Sequence, residues 1–306
     1  MNLFHLKRTL SALLGCALLL GCQPEGTKST EATSTSDDAA ATISVLTFNV
    51  RYDNPDDGAN VWKNRQPKVN AFLDSIAPDV IGAQEVLHNQ LEDLLGAHPD
   101  YDFYGVGRED GLDKGEYQPL LWKKDRFEVV DKGHFWLSET PDKPSMGWDA
   151  ACKRTTVWAI LKEKTTGREL LFMNTHLDHM GQMARANSVR MIKERALELA
   201  GDREIVLTGD FNADPSSDVI LAMEDSEGLP RPILDSRQYA KEKSGADWSF
   251  HDFGHLPVAE RPLIDYIFVG SDGEDILMNS VLNEDDSDPN HLYLSDHAPV
   301  LVKIGL

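Results

Sequence analysis

The chain has 306 residues, of which 41% are hydrophobic and six are tryptophan, with 30 basic residues against 51 acidic ones. That length can bury a large core and sits at the upper end of one compact domain. The formal charge of −21 opposes binding of long polyanions. It leaves nucleic acid possible but not favoured, because a local basic funnel or a bound metal can place positive charge where it counts.

At the N-terminus, Lys7 and Arg8 precede an apolar run from Leu10 to Leu20 broken only by Ser11, Gly15 and Cys16, the pattern of an export signal too short to span a bilayer comfortably. Its end, Leu19-Leu20-Gly21-Cys22, resembles the bacterial lipoprotein signal. That resemblance implies a signal peptide over 1–21 and acylation of Cys22, giving a membrane-anchored product in the cell envelope that faces the periplasm or the exterior. An ordinary cleaved signal with a soluble product is the alternative. Residues 22–42 are rich in Ser, Thr, Ala, Asp and Glu without apolar periodicity, so they read as a flexible tether reaching on the order of 25 Å. Loss of the signal leaves 28 basic residues against 51 acidic, a formal charge of −23, and Cys152 as the one free thiol. It precludes an internal disulfide or a thiolate metal cluster and reads as a small buried packing residue.

Residues 43–306 read as one domain, expected to be monomeric. Apolar runs predict strands over 43–50, 80–84, 118–122, 127–130, 157–161, 170–174, 205–208, 264–269 and 299–304. Helical stripes predict helices over 66–76, 87–95, 183–199 and 219–223. Several connections between strands are too short for a crossover helix, which excludes a purely parallel sheet and points to a layered α/β sandwich with mixed sheets.

Six of these strands end or begin in polar residues. The segments 44–49 (SVLTFN), 79–85 (DVIGAQE), 170–176 (LLFMNTH) and 205–212 (IVLTGDFN) are polar at their ends, whereas 265–269 (DYIFV) and 296–302 (DHAPVLV) are polar at their starts. If the last two run antiparallel to neighbours from the first group, all six polar ends meet on one edge of the core. Taken singly, Asn49 also reads as a strand-end cap, Glu85 and Asp210 as turn carboxylates, and His176 as a satisfied core histidine.

In this order the six segments resemble the endonuclease/exonuclease/phosphatase superfamily, over almost the whole chain from Leu46 to Val302. The resemblance implies a four-layer α/β/β/α sandwich with two mixed, largely antiparallel sheets, and hydrolysis of a phosphodiester or phosphomonoester assisted by Mg2+ or Mn2+. Glu85 is the expected first metal ligand, since a carboxylate on an apolar strand end is costly unless it meets a cation. Asn49 and Asp296 are expected to complete or second it. By resemblance Asp210 orients or deprotonates the attacking water, Asn212 donates its amide to the phosphate, His297 and His176 face the phosphate, and Asp265 holds His297.

Two departures stand out. Exonuclease III-type members carry an aspartate where this chain has Arg51, which substitutes a possible phosphate clamp for a ligand, and the arginine often found two residues before the strand aspartate is Leu263 here. Arg51, Arg108 and Arg154, with Asp53, Trp148, His179 and His251, lie in loops of the kind that line sites, although a solvated surface is the commoner fate of each such position. The expected function is an exported metal-dependent phosphoesterase. A secreted nuclease or an inactive binding lipoprotein remain the alternatives, the second of which would have lost some of Glu85, Asp210, Asp265 and His297.

Overall fold

The structure, a computed structural model, describes residues 42–227, 231–284 and 291–306. Cys22, the signal segment and the tether lie outside them, apart from Thr42. One sheet is built from β1 (Thr42–Asn49), β2 (Val80–Gln84), β3 (Tyr101–Tyr104), β4 (Leu120–Lys123), β10 (Glu242–Gly245), β12 (Ile276–Val281) and β13 (Val300–Gly305), in the order β10-β12-β13-β1-β2-β4-β3. The other holds β5 (Phe127–Trp136), β6 (Thr155–Glu163), β7 (Glu169–His176), β8 (Glu204–Asp210), β9 (Ile233–Asp235) and β11 (Asp265–Gly270), in the order β5-β6-β7-β8-β11-β9. The pairs β1·β2, β10·β12 and β7·β8 are parallel and the remainder antiparallel, so the expected pair of mixed, largely antiparallel sheets is present.

Strict alternation explains why the central strands read as unbroken apolar runs. Val45, Val80, Phe172, Val206 and Ile267 point into the space between the sheets, while their neighbours Leu46 and Ile81 on one side, and Leu171, Met173, Leu207 and Phe268 on the other, face outward. Those outward faces are buried in turn by helices. Val69 and Leu73 of α1 (Trp62–Ile76) and Leu91 and Leu94 of α2 (His88–Ala97) cover the first sheet. The second is covered by Val189, Ile192 and Ala196 of α3 (Gln182–Ala200) and by Val219 and Ile220 of α4 (Asp218–Glu224). A strand buried on both faces needs no polar positions, and four layers follow.

Toward one end of the sandwich the inter-sheet contact turns polar. Gln84 Nε2 donates to Asn174 Oδ1 at 2.7 Å, Thr208 Oγ1 donates to the same oxygen at 3.0 Å, and Asn174 Nδ2 donates to the Ala83 carbonyl at 2.7 Å. Gly82 permits this approach, because a Cβ there would collide with Thr208 Oγ1 and lie 2.8 Å from Asn174 Oδ1. Buried hydrogen bonds of this kind fix the two sheets in register directly beneath the ends that carry the polar residues.

Helix α1 begins one turn before the expected start at 66, so that Pro67 lies inside it. The strand expected over 127–130 continues to Trp136 through a register shift between Val129 and Asp131. β3, β9, β10 and β12 were not among the predicted strands.

Candidate active site

Strand pairing sets the site. His176 at the end of β7, Asp210 at the end of β8 and Asp265 at the start of β11 are direct cross-strand neighbours. In the facing sheet Asn49 ends β1 beside Gln84, and Ser295, ahead of β13, donates its hydroxyl to the Asn49 carbonyl at 2.6 Å. That bond draws Asp296 and His297 to the same edge. All eight expected catalytic and metal residues therefore meet at one end of the sandwich, and all but Asn49 and Asp265 line a cavity of about 600 Å³ there.

Backbone strain aims several of them. Arg51 (φ 57°), Glu85 (φ 60°) and Asn212 (φ 47°) are non-glycine residues in the left-handed region, each on the cavity wall. Such conformations cost on the order of 1–3 kcal/mol apiece and persist where the surroundings over-determine them. Arg65 of α1 supplies part of that constraint. Its fully buried guanidinium donates to the carbonyls of Val50 and Leu294 at 2.7 Å and of Arg51 at 3.1 Å, tying the loop after β1 to the segment that leads into Asp296. Burial lowers its pKa to about 10, so it stays cationic.

Around Asp210 the contacts are dense. Its Oδ2 accepts from Asn49 Nδ2 at 3.1 Å and lies 3.4 Å from His176 Nε2 and 3.8 Å from His297 Nε2, while Oδ1 accepts from the Asn212 amide at 2.9 Å. Asn212 Nδ2 lies 3.1 Å from His176 Nε2. Burial, and then the charge of Asp265, push the Asp210 carboxyl up to about 7. Burial would lower His297, but Asp265, at 2.8 Å from its Nδ1, and Asp210 raise it to about 10. His176 is driven well below the ordinary histidine value by burial and then by Arg154 and Arg108. At neutral pH the two imidazoles thus differ, one charged and one neutral, and His176 Nδ1 is buried without a hydrogen-bond partner.

Glu85 and Asp296 bring the oxygens suited to a hard cation. The Asp296 carboxyl is pushed up by burial and, among its neighbours, by Glu85, a repulsion that a divalent ion between them would relieve. The residues present fit such an ion. The Asn49 side-chain carbonyl oxygen accepts the Arg51 amide at 3.0 Å while its Nδ2 donates to Glu85 Oε1 at 3.2 Å. Asp210, Asp265 and His297 also place one ligand atom each within 4.8 Å of one another, but an ion there would compete with the hydrogen bond between Asp265 and His297.

Arg51, Arg108, Arg154 and His179 all line the cavity. Arg51 is held by a two-pronged contact with Asp57 at 2.9 Å and lies 3.6 Å from Asp296, while Arg154 is buried and lies 3.4 Å from Asp178. Three other loop candidates fall outside the wall. Asp53 accepts from Asn89, His251 Nδ1 accepts from the Gly254 amide, and Trp148 sits at a positive φ in the 145–153 segment. Cys152 departs from its expected burial. It is half-buried on the cavity wall with Sγ 3.6 Å from Asp178 Oδ2, because the irregular segment before β6 carries it away from the core. Burial raises its pKa, so the thiol stays protonated at neutral pH.

Three residues of the site carry no motif of their own. Glu116 lies 2.6 Å from Arg108 Nη1 and 3.9 Å from His176 Nδ1. Asp178 accepts from the amides of Met180, Gly181 and Ala151, and Phe250 packs its ring 4.9 Å from that of His297. All three sit in loops whose neighbours only tertiary structure supplies.

A two-sheet sandwich whose strand ends gather carboxylates, an amide and two imidazoles around one cavity defines a class of metal-assisted phosphoester hydrolases. The chain belongs to the endonuclease/exonuclease/phosphatase family, whose description matches residues 46–297. A crystal structure of a family member from Bacteroides vulgatus is 41% identical, covering 87% of this chain and 99% of that one with a TM-score of 0.80. A Bacteroides thetaiotaomicron protein described as a mannosyl-6-phosphatase is 36% identical, with 85% of this chain and 98% of that one covered and a TM-score of 0.78. An uncharacterized protein of Acanthamoeba polyphaga mimivirus is 25% identical over 160 residues, 50% of this chain and 60% of its own length. The chain spans 60% or less of the length of the curated relatives it matches.

Proposed function

We propose that this protein is an exported phosphomonoesterase, tethered through Cys22, that uses a divalent cation of the magnesium type to release phosphate from a small sugar-like ester. One observation carries the reading: a charged His297, a neutral His176, Asp210 and Asn212 line one open cavity together with Glu85 and Asp296. A cavity of about 600 Å³ suits a small molecule better than a polymer, and the acidic surface opposes a polyanion. The similarity to a protein described as a mannosyl-6-phosphatase, which extends over 98% of that chain, supports a monoester over a diester.

Glu85 and Asp296 would hold the cation, which when bound neutralises phosphoryl oxygens and the charge that gathers on them. Asn49 keeps Glu85 in place. Asp210 accepts a hydrogen bond from the attacking water and takes its proton as the new P–O bond forms, while the ester P–O bond opposite it breaks and the departing sugar oxygen takes a proton from solvent. Charge develops on the phosphoryl oxygens opposite His297 and Asn212, donors already fixed by Asp265 and by the Leu177 carbonyl, 3.1 Å from Asn212 Nδ2. Preorganised donors of this kind need no reorganisation at the moment of reaction.

Incubation of the purified mature chain with hexose 6-phosphates, 4-nitrophenyl phosphate, bis(4-nitrophenyl) phosphate and duplex DNA, with magnesium or with chelator, tests the reading. Phosphate release from monoesters, abolished by chelator, is the expected result. Faster cleavage of the diester or of DNA overturns it.

A further inference from the structure

Part of the cavity wall is made of groups that the hydrolytic step does not use. Arg154 is buried, and its Nε lies 3.4 Å from Asp178 while one Nη2 hydrogen faces His179 Nδ1 at 3.1 Å. Its Nη1 is buried without a hydrogen-bond partner, and so is Arg108 Nε, which has only a distant ion-pair contact with Glu109 Oε1 at 4.0 Å. Both arginines line the cavity, and Arg108 Nη1 donates to Glu116 Oε2 at 2.6 Å. An unpaired buried guanidinium N–H is costly to keep unless a ligand completes it.

The chemistry of this wall differs from that of a phosphate cradle. Glu116 sets a carboxylate among the arginines, and a doubly charged phosphate placed against it would meet like-charge repulsion. Alternating donors and an acceptor match instead the hydroxyls of a polyol, each of which both donates and accepts. Besides the phosphate-facing Asp210, Asn212 and His297, the site therefore holds a second polar group of Arg108, Glu116 and Arg154, in which Glu116 and the adjacent Asp178 offset the two guanidinium charges.

We infer that Arg154, together with the Arg108–Glu116 pair, forms a leaving-group subsite that recognises adjacent hydroxyls of a phosphorylated sugar and thereby sets the specificity of the enzyme. The inference rests on the monoesterase reading above. Arg154 Nη1 and Arg108 Nε donate to hydroxyl oxygens, a sugar hydroxyl donates a hydrogen bond to the Glu116 carboxylate, and the sugar supplies the missing hydrogen-bond partners of the buried groups. Esters whose leaving group lacks hydroxyls leave those groups unpaired and bind less well, since a site built to hydrogen-bond a hydroxyl discriminates strongly against its absence.

Steady-state kinetics of Arg154→Lys and Glu116→Gln on a hexose 6-phosphate and on 4-nitrophenyl phosphate provide the test, with thermal melting to confirm folding. Each variant is expected to lose kcat/KM on the sugar ester about 10- to 100-fold more than on the aryl ester, with the difference lying in KM. Equal proportional losses on both esters, or a loss carried by kcat alone, overturn the subsite. If Arg154→Lys fails to fold, Glu116→Gln decides the matter alone by the same ratio. Wild-type enzyme that cleaves the aryl ester but no hexose phosphate also overturns the subsite while leaving the monoesterase reading intact, whereas cleavage of neither removes both.

Discussion

His297 Nδ1 lies 2.8 Å from Asp265 Oδ2, and both side chains are buried. The pair spans the two sheets, because Asp265 begins β11 of one while His297 precedes β13 of the other. Asp265 therefore does two things at once: it orients the imidazole so that Nε2 faces Asp210, and it keeps the ring protonated despite burial. Asp265→Asn retains the shape but removes the charge, so kcat should fall about 10²- to 10⁴-fold with little change in KM. Single-turnover and steady-state rates check this, and a variant within twofold of wild type would show that His297 needs no carboxylate.

Removal of the metal side should act differently. Glu85 Oε1 and Oε2 accept from Asn49 Nδ2 and the Tyr52 amide, both at 3.2 Å, so a neutral amide at position 85 loses an anionic ligand while keeping part of the frame. Glu85→Gln is expected to raise the magnesium concentration for half-maximal activity at least about tenfold. Titration of activity against magnesium measures it, and an unchanged midpoint would remove Glu85 from the metal site.

The site was legible in the sequence wherever the strands announce their own ends. Runs such as 205–212 are apolar because both strand faces are buried, and the abrupt change at Asp210 is visible without knowing the partners. Nothing comparable marks Glu116, which reaches His176 only because the segment between β2 and α2 and the loop before β4 meet at the Val86–Tyr117 bridge. The edge strand Glu242–Gly245 is exposed along its length and so lacks the apolar signal of a half-buried strand. Asn49 shows a further boundary: its position was readable, but which end of its amide faces Glu85 depends on a hydrogen bond from the Arg51 backbone.

Gly82 couples fold to site. A methyl group there would strike Thr208 Oγ1 and crowd Asn174 Oδ1, forcing apart the sheets that carry Glu85 and Asp210. Gly82→Ala should cost about 1–3 kcal/mol of stability and lower activity as well. Denaturant melts paired with rate measurements test both effects, and a variant with wild-type stability and rate would mean that the sheets tolerate wider spacing.

The proposed Cys22 anchor makes a prediction independent of the catalytic chemistry. Cells expressing the full chain should incorporate labelled fatty acid into it, and Cys22→Ala should abolish labelling and release the protein from the membrane fraction. One acyl chain holds a protein only marginally, so stable association requires more than one. Unchanged membrane association of the Cys22→Ala protein would end the anchor reading.

Acid should weaken the fold in part through Asp79. Burial alone would raise this carboxyl, yet the Ser44 amide at 2.8 Å, the Ser44 hydroxyl at 2.7 Å and Arg126 Nη1 at 2.6 Å hold it below its ordinary value. The unfolded chain takes up the proton at higher pH than the folded one, so stability rises with pH across that interval. The contribution is fully present above the unfolded value of about 3.9 and is lost as pH falls through the lower folded value. Asp79→Asn should therefore be markedly less stable than wild type at pH 7, with the gap closing below about pH 4. Urea denaturation of both proteins between pH 7 and 3 measures the gap, and a difference constant with pH would assign the role of Asp79 to packing and not to its charge.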